Sequence, residues 1–176
     1  TAGGGVYIDK GDFTIKSGKI EQNIVSNGNG GGVYIIGEKQ GETRVGNFTM
    51  ENGEISSNEG GNGAGVFLNG GNFDLIQGQI SNNTASQYGG GVYLIGDNCE
   101  YLLKNGTISN NRAQHGGGVY LADGSFKLTE SEDQTGKISE NVADTAGGGV
   151  YIAGAGGFEM NGGSVYKNET TAEDSN

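Results

Sequence analysis

Apolar residues in this chain fall in short alternating groups, and none keeps the spacing of a helix. Taking a valine as the marker, each group reads V-[YF]-[IL], a gap, an aromatic-x-[ILM] triplet, two residues, G-x-[IV], two residues, Asn. The valines are Val6, Val33, Val66, Val92, Val119 and Val150, each behind a glycine triplet that is "GGG" five times and "GAG" once, at Gly63 to Gly65. The second phrase pairs Phe13 with Ile15, Phe48 with Met50, Phe73 with Leu75, Tyr101 with Leu103, Phe126 with Leu128 and Phe158 with Met160. Ile20, Ile55, Ile80, Ile108, Ile138 and Val165 form the third, each two residues after a glycine. An apolar-x-apolar triplet has the two-residue period of a strand, and the gaps are too short for helices.

The marker valines are spaced 27, 33, 26, 27 and 31 residues, a repeat length that marks a solenoid. Three short strands per repeat, with glycine or asparagine at the bends, predict an all-β chain wound as a right-handed, three-sided parallel β-helix of six coils. Residues 1–176 read as a single domain, a segment cut from a longer repeat protein, because "TAGGGVYI" opens the chain and returns at Thr145 in the same phase. Length varies in loops such as Ile36 to Gly46 and Thr129 to Gly136, while the strand phrases keep their spacing. Corners of a solenoid face water and tolerate such inserts.

In a parallel stack, equivalent residues lie over one another, so every repeat position becomes a column. Asn23, Asn58, Asn83, Asn111, Asn141 and Asn168 form one without exception. An amide both donates and accepts, so these side chains are expected to bond along the axis and satisfy a buried corner. Tyr7, Tyr34, Phe67, Tyr93, Tyr120 and Tyr151 form another, turned outward if the flanking valine and isoleucine or leucine turn in. Two readings stand for this ring column: contact with a sugar or protein ligand, or stacking of the rings on one another under cover of neighbouring loops.

Glycine is abundant, with 38 residues, and its regular phase argues for order rather than low complexity. A formal charge of −11, from 10 Lys+Arg against 21 Asp+Glu, disfavours a phosphate backbone, so no nucleic-acid partner is expected. No run of 18 apolar residues occurs, so no membrane insertion is expected in this segment. Cys99 is a lone cysteine and reads as a buried small hydrophobe or an incidental loop residue.

Candidate chemistry is thin. Ser56, Ser81, Ser109 and Ser139 recur one residue after the third-phrase isoleucine and are expected to face water or bond local backbone. As nucleophiles they lack a base, since the single histidine, His115, reads as a surface turn residue. The outward positions of the second strand hold Thr14, Thr49, Asp74, Leu102, Lys127 and Glu159, with no repeated acid pair of the kind glycoside cleavage needs. Glu130, Glu132 and Asp133 cluster in the second insert, where a solvated acidic loop is the plainer reading and a calcium site the alternative. No catalytic residue, metal or cofactor is expected.

The "GGGVY" phrase, with the aromatic and asparagine positions behind it, resembles the repeats of bacterial surface proteins of the polymorphic outer-membrane-protein and pectin-lyase-like β-helix type. The likeness covers all six repeats; of the F-x-x-N half of that signature, only Phe158 to Asn161 is a copy. The resemblance implies an exported protein, extracellular or held at a cell surface, working as an adhesin or as the stalk or scaffold that displays one. Its partner would be a host or cell-surface glycan or protein. A carbohydrate-binding or carbohydrate-active module along the ring column is the alternative, and end-to-end self-association is a third use of such a rod.

Overall fold

The computed structural model describes residues 3–41, 43–96, 99–131 and 134–172, the side chains of residues 40, 130, 131 and 134 excepted. All regular structure in it is β, and the long ladders are parallel. The first sheet stacks six strands, Val6–Asp9, Val33–Ile36, Val66–Asn69, Val92–Ile95, Val119–Leu121 and Val150–Ile152. Its register sets valine on valine at every step, whatever the length of the coil between.

Asp12–Ile15, Asn47–Met50, Asn72–Leu75, Glu100–Leu103, Ser125–Ser131 and Gly157–Asn161 make the second sheet, again with like residues in line. The third is Lys19–Glu21, Glu54–Ser56, Gln79–Ser81, Thr107–Ser109, Lys137–Ser139 and Ser164–Tyr166. These are the three strands per coil that the apolar phrases predict.

A fourth ladder, which those phrases do not announce, closes each coil between the asparagine and the glycine triplet. Its strands are Glu59–Asn62, Thr84–Tyr88, Arg112–His115, Val142–Ala146 and Glu169–Thr170, and the first coil joins it only through bridges at Ile24 and Asn29. Its inward side chains are small, with Ala85, Ala113 and Ala143 buried, so it carries no apolar triplet to read. Small residues are required because the turn backbone of the glycine triplet presses against this sheet. A Cβ on Gly90 would lie 2.5 Å from the carbonyl oxygens of both Arg112 and Gly117.

The core is one continuous cluster running the length of the rod, with Val33, Ile35, Phe48, Met50 and Ile55 closed to solvent in a single coil. Alternation along each strand puts these side chains in and their neighbours out, and each coil's apolar face is covered by the next coil. Both long inserts become antiparallel hairpins: Glu38–Gln40 pairs with Thr43–Val45, and the end of Ser125–Ser131 pairs with Gln134–Thr135.

Candidate functional site

The asparagine column is a complete hydrogen-bonded ladder. Asn83 Nδ2 donates to Asn111 Oδ1 at 2.9 Å and to the Ile55 carbonyl at 3.0 Å, while the Asn83 backbone N–H donates to the same Asn111 Oδ1 at 3.0 Å. The pattern repeats from Asn23 through Asn58, Asn83, Asn111 and Asn141 to Asn168. Each internal amide therefore uses both hydrogens and takes two bonds on its oxygen, which lets Asn58, Asn83, Asn111 and Asn141 sit fully buried. The residue before each asparagine, Gln22, Ser57, Asn82, Asn110, Glu140 and Lys167, is left-handed with φ between 52° and 58°, and this turns the corner that aims the amide inward. These groups are spent on one another and leave the column no chemistry toward a ligand.

The ring column also forms. Tyr7, Tyr34, Phe67, Tyr93, Tyr120 and Tyr151 stack in file with centroids 5.4, 4.8, 4.9, 5.1 and 5.1 Å apart and planes within 10° of parallel. Exposure along it is uneven. Tyr7 is 50% exposed, Tyr34, Tyr120 and Tyr151 are half-buried, and Phe67 and Tyr93 keep 5% and 9%. Burial raises the phenol pKa of Tyr93, with Tyr120, Tyr88 and Asp123 pushing the same way, and burial likewise raises those of Tyr34 and Tyr120.

Against Tyr93, Tyr120 and Tyr151 lies a pair of residues not anticipated from the sequence. Tyr88 lies 4.7 Å from Tyr120 and 6.3 Å from Tyr93, and His115 lies 5.6 Å from Tyr88 and edge-on to Tyr151 at 5.4 Å. Tyr88 and His115 are in register on the fourth sheet, each directly ahead of a glycine triplet. That shared position was the available signal, but its occupants elsewhere are Asn29, Asn62 and Ala146, so no common residue type marks it. His115 is thus a half-buried strand residue within a ring cluster instead of a surface turn residue, and its Nδ1 is buried with no partner among the described residues.

For the serine column the first of its two expected fates, facing water, is overturned in the same direction. Ser56, Ser81, Ser109 and Ser139 keep only 4 to 8% exposure and do not face open water. In a parallel stack each short side chain is flanked by its register partners above and below: Ser81 and Ser109 by serines on both sides, Ser56 by Glu21 and Ser81, and Ser139 by Ser109 and Tyr166, which closes their sides.

Thr14, Thr49, Asp74, Leu102, Lys127 and Glu159 do line up on the second sheet. Asp74 is half-buried there, and burial raises its pKa, opposed by Lys104 and helped by Glu100. Glu100 is itself engaged, with Arg44 reaching it from the first hairpin and Lys127 3.4 Å away. Cys99 is buried at the corner ahead of this sheet; its sulfur accepts the Gly70 N–H at 2.9 Å. Burial pushes the Cys99 thiol up to about 11. Among the described residues no three His, Cys, Asp or Glu side chains gather to hold a metal. The acidic group Glu130, Glu132 and Asp133 lies outside the described side chains. No helix among the described residues is long and apolar enough to cross a membrane.

Four parallel ladders closed around a single core, with like residues superposed, define a parallel β-solenoid. Residues 1–172 match the family described as the right-handed β-helix region, and the chain belongs to it. No curated protein and no solved structure matches the chain.

Proposed function

We propose that this chain is a non-catalytic segment of a bacterial cell-surface or secreted β-helix protein, acting as a stalk, adhesive surface or display scaffold. One observation carries the reading: the polar groups that repeat along the rod are consumed inside it. The asparagines bond to asparagines, the serines are closed in by their register partners, and the rings stack on rings. An active site needs convergent groups left free at one place, and a uniform stack supports load and spacing instead.

A second reading rests on the uncovered rings. Tyr7 and Tyr34, at the start of the column, offer flat aromatic surface of the kind that stacks on an uncharged sugar, whereas Phe67 and Tyr93 offer little. A glycan array together with a polysaccharide-cleavage panel separates the two. The scaffold reading expects no released sugar ends and no glycan binding that depends on these rings. Binding abolished by Tyr7→Ala and Tyr34→Ala establishes the second reading, and any cleavage sinks the first.

A further inference from the structure

The repeat breaks at one place on the side of the rod. Between the asparagine and the glycine triplet the first coil has six residues, Ile24 to Asn29, the second four, Glu59 to Asn62, and the third five, Thr84 to Tyr88. Register forces the surplus outward. Ile24 and Asn29 bridge to Glu59 and Asn62, so the residues from Val25 to Gly28 stand against Gly60 and Gly61 alone. On the other flank Ala85 pairs with Gly60 and Tyr88 with Asn62, which sets Ser86 and Gln87 against Gly61. Two bulges therefore rise on either side of a short strand whose middle has no side chains. The trough between them holds two depressions of about 180 and 230 Å3, which meet at Ser86. The fourth coil is as short and also lies between longer neighbours, but there Ala113 and Gln114 replace the two glycines and Arg112 crosses to Asp144.

The lining suits an uncharged, hydroxyl-rich ligand. Asn27, Thr84, Ser86 and Gln87 are exposed, and none of their side chains makes a hydrogen bond to a described residue. Asn62 gives Nδ2 to Asn29 Oδ1 at 2.9 Å, and its own Oδ1 has no partner among the described residues. Amides and hydroxyls both donate and accept, as the hydroxyls of a sugar do. Glu59 is the only ionisable residue on the lining, so no cation is present to hold an anion. Calcium, which takes about six to eight oxygens with carboxylates among them, would find a single carboxylate. Ile24 and Val25 add an apolar edge against which the C–H face of a sugar ring can lie.

We propose that this trough binds a short neutral oligosaccharide, with Asn27 and Gln87 holding its hydroxyls from the two bulges and Ser86 between the two depressions. The site is separate from the ring column. It rests on the adhesive-surface reading above and gives that surface a place and a ligand class. The polar groups that repeat along the rod are spent inside it, and those of the trough are left free because here the repeat is broken.

A glycan array carrying neutral, uronate-bearing and sialate-bearing oligosaccharides, followed by titration calorimetry with the neutral glycans it selects, tests the proposal. The expected result is binding of a neutral glycan that Ser86→Trp, filling the trough from an exposed position, abolishes. Asn27→Ala with Gln87→Ala is expected to weaken it about tenfold or more, the loss of one or two hydrogen bonds. The melting midpoints of these variants stay near the parent's, and the alanine pair, which adds no bulk, decides alone should Ser86→Trp melt early. Tyr7→Ala with Tyr34→Ala binds as the parent does. No neutral glycan bound, a preference for the acidic chains, or binding that survives the trough variants overturns the proposal. Loss of binding in the ring pair while the trough variants still bind overturns it too and favours the ring column instead. The scaffold reading survives an empty trough and falls to cleavage, so the two fail on different results.

Discussion

Tyr101 stands in a file of phenylalanines and differs from them by one oxygen. Its ring stacks between Phe73 and Phe126 at 4.7 and 4.8 Å, fully buried, and its hydroxyl has no partner among the described residues. Burial holds that phenol well above its ordinary pKa, and Asp74 adds to the effect. A buried donor left unmade costs about 1 to 3 kcal/mol, so Tyr101→Phe is expected to raise unfolding free energy by about 1 kcal/mol or more in urea. Cys99 gives a second test at this scale. Its thiol is neutral in folded and unfolded chains below its ordinary value of 9.0, and above that only the unfolded chain ionises until about 11. Stability is therefore full below pH 9 and falls by about 2 kcal/mol as pH rises through this window, because the unfolded state releases the proton first. Tyrosines with raised pKa values add to the loss at the upper end, so the checking measurement is the difference between the parent and Cys99→Ala, which lacks the Cys99 component.

At the scale of the element, the glycine triplet is the sharpest case. Its first member is left-handed in all six coils, φ being 62° at Gly89 for instance, and its third has no room for a side chain. A Cβ on Gly91 would sit 2.6 Å from the Gly118 oxygen, 2.9 Å from Ile108 Cγ2 and 3.0 Å from Asn111 Nδ2, pressing on the backbone of the next coil and on the asparagine ladder together. Gly91→Ala is expected to cost about 3 kcal/mol in thermal or urea unfolding, at the upper end for overpacking. Gly11→Ala, at a position with nothing within 4 Å, is expected to change stability little. The middle position is glycine in five coils, where an added Cβ would meet backbone oxygens at 2.2 to 2.5 Å, and the third coil alone carries alanine there, Ala64, packed with Ala85 and Ala113.

The first three sheets were legible because the first two write their inward faces as apolar triplets and the third as a single isoleucine or valine at a fixed distance from a glycine. The fourth was not, because its inward face must be alanine or glycine, and small residues carry no period. The asparagine ladder was legible because a buried amide has few replacements that can donate twice and accept twice. The ring cluster over Tyr93, Tyr120 and Tyr151 was not, since it comes from Tyr88 and His115, distant in phrase though adjacent in space.

For the whole molecule, stability is a sum over coils and their contacts with neighbours, so it is lowest where a neighbour is missing on one side. The last coil leaves Ile152, Met160 and Val165 half exposed, and the middle coils leave no such side chain open. Hydrogen exchange at low concentration is expected to find amides of residues 150–166 the least protected and those of the coils between Val66 and Ile138 the most. Uniform protection along the rod would show that the coils unfold as one unit.

The sequence by itself determined that this chain winds into six superposed coils, since the order of apolar phrases, glycine turns and asparagines can be satisfied at once only by stacking like on like. It also determined which residues form the two columns, because register follows from the repeat. Only the tertiary structure decided how much of each column faces solvent. Exposure depends on what neighbouring sheets and coils cover, and no spacing along the chain records that.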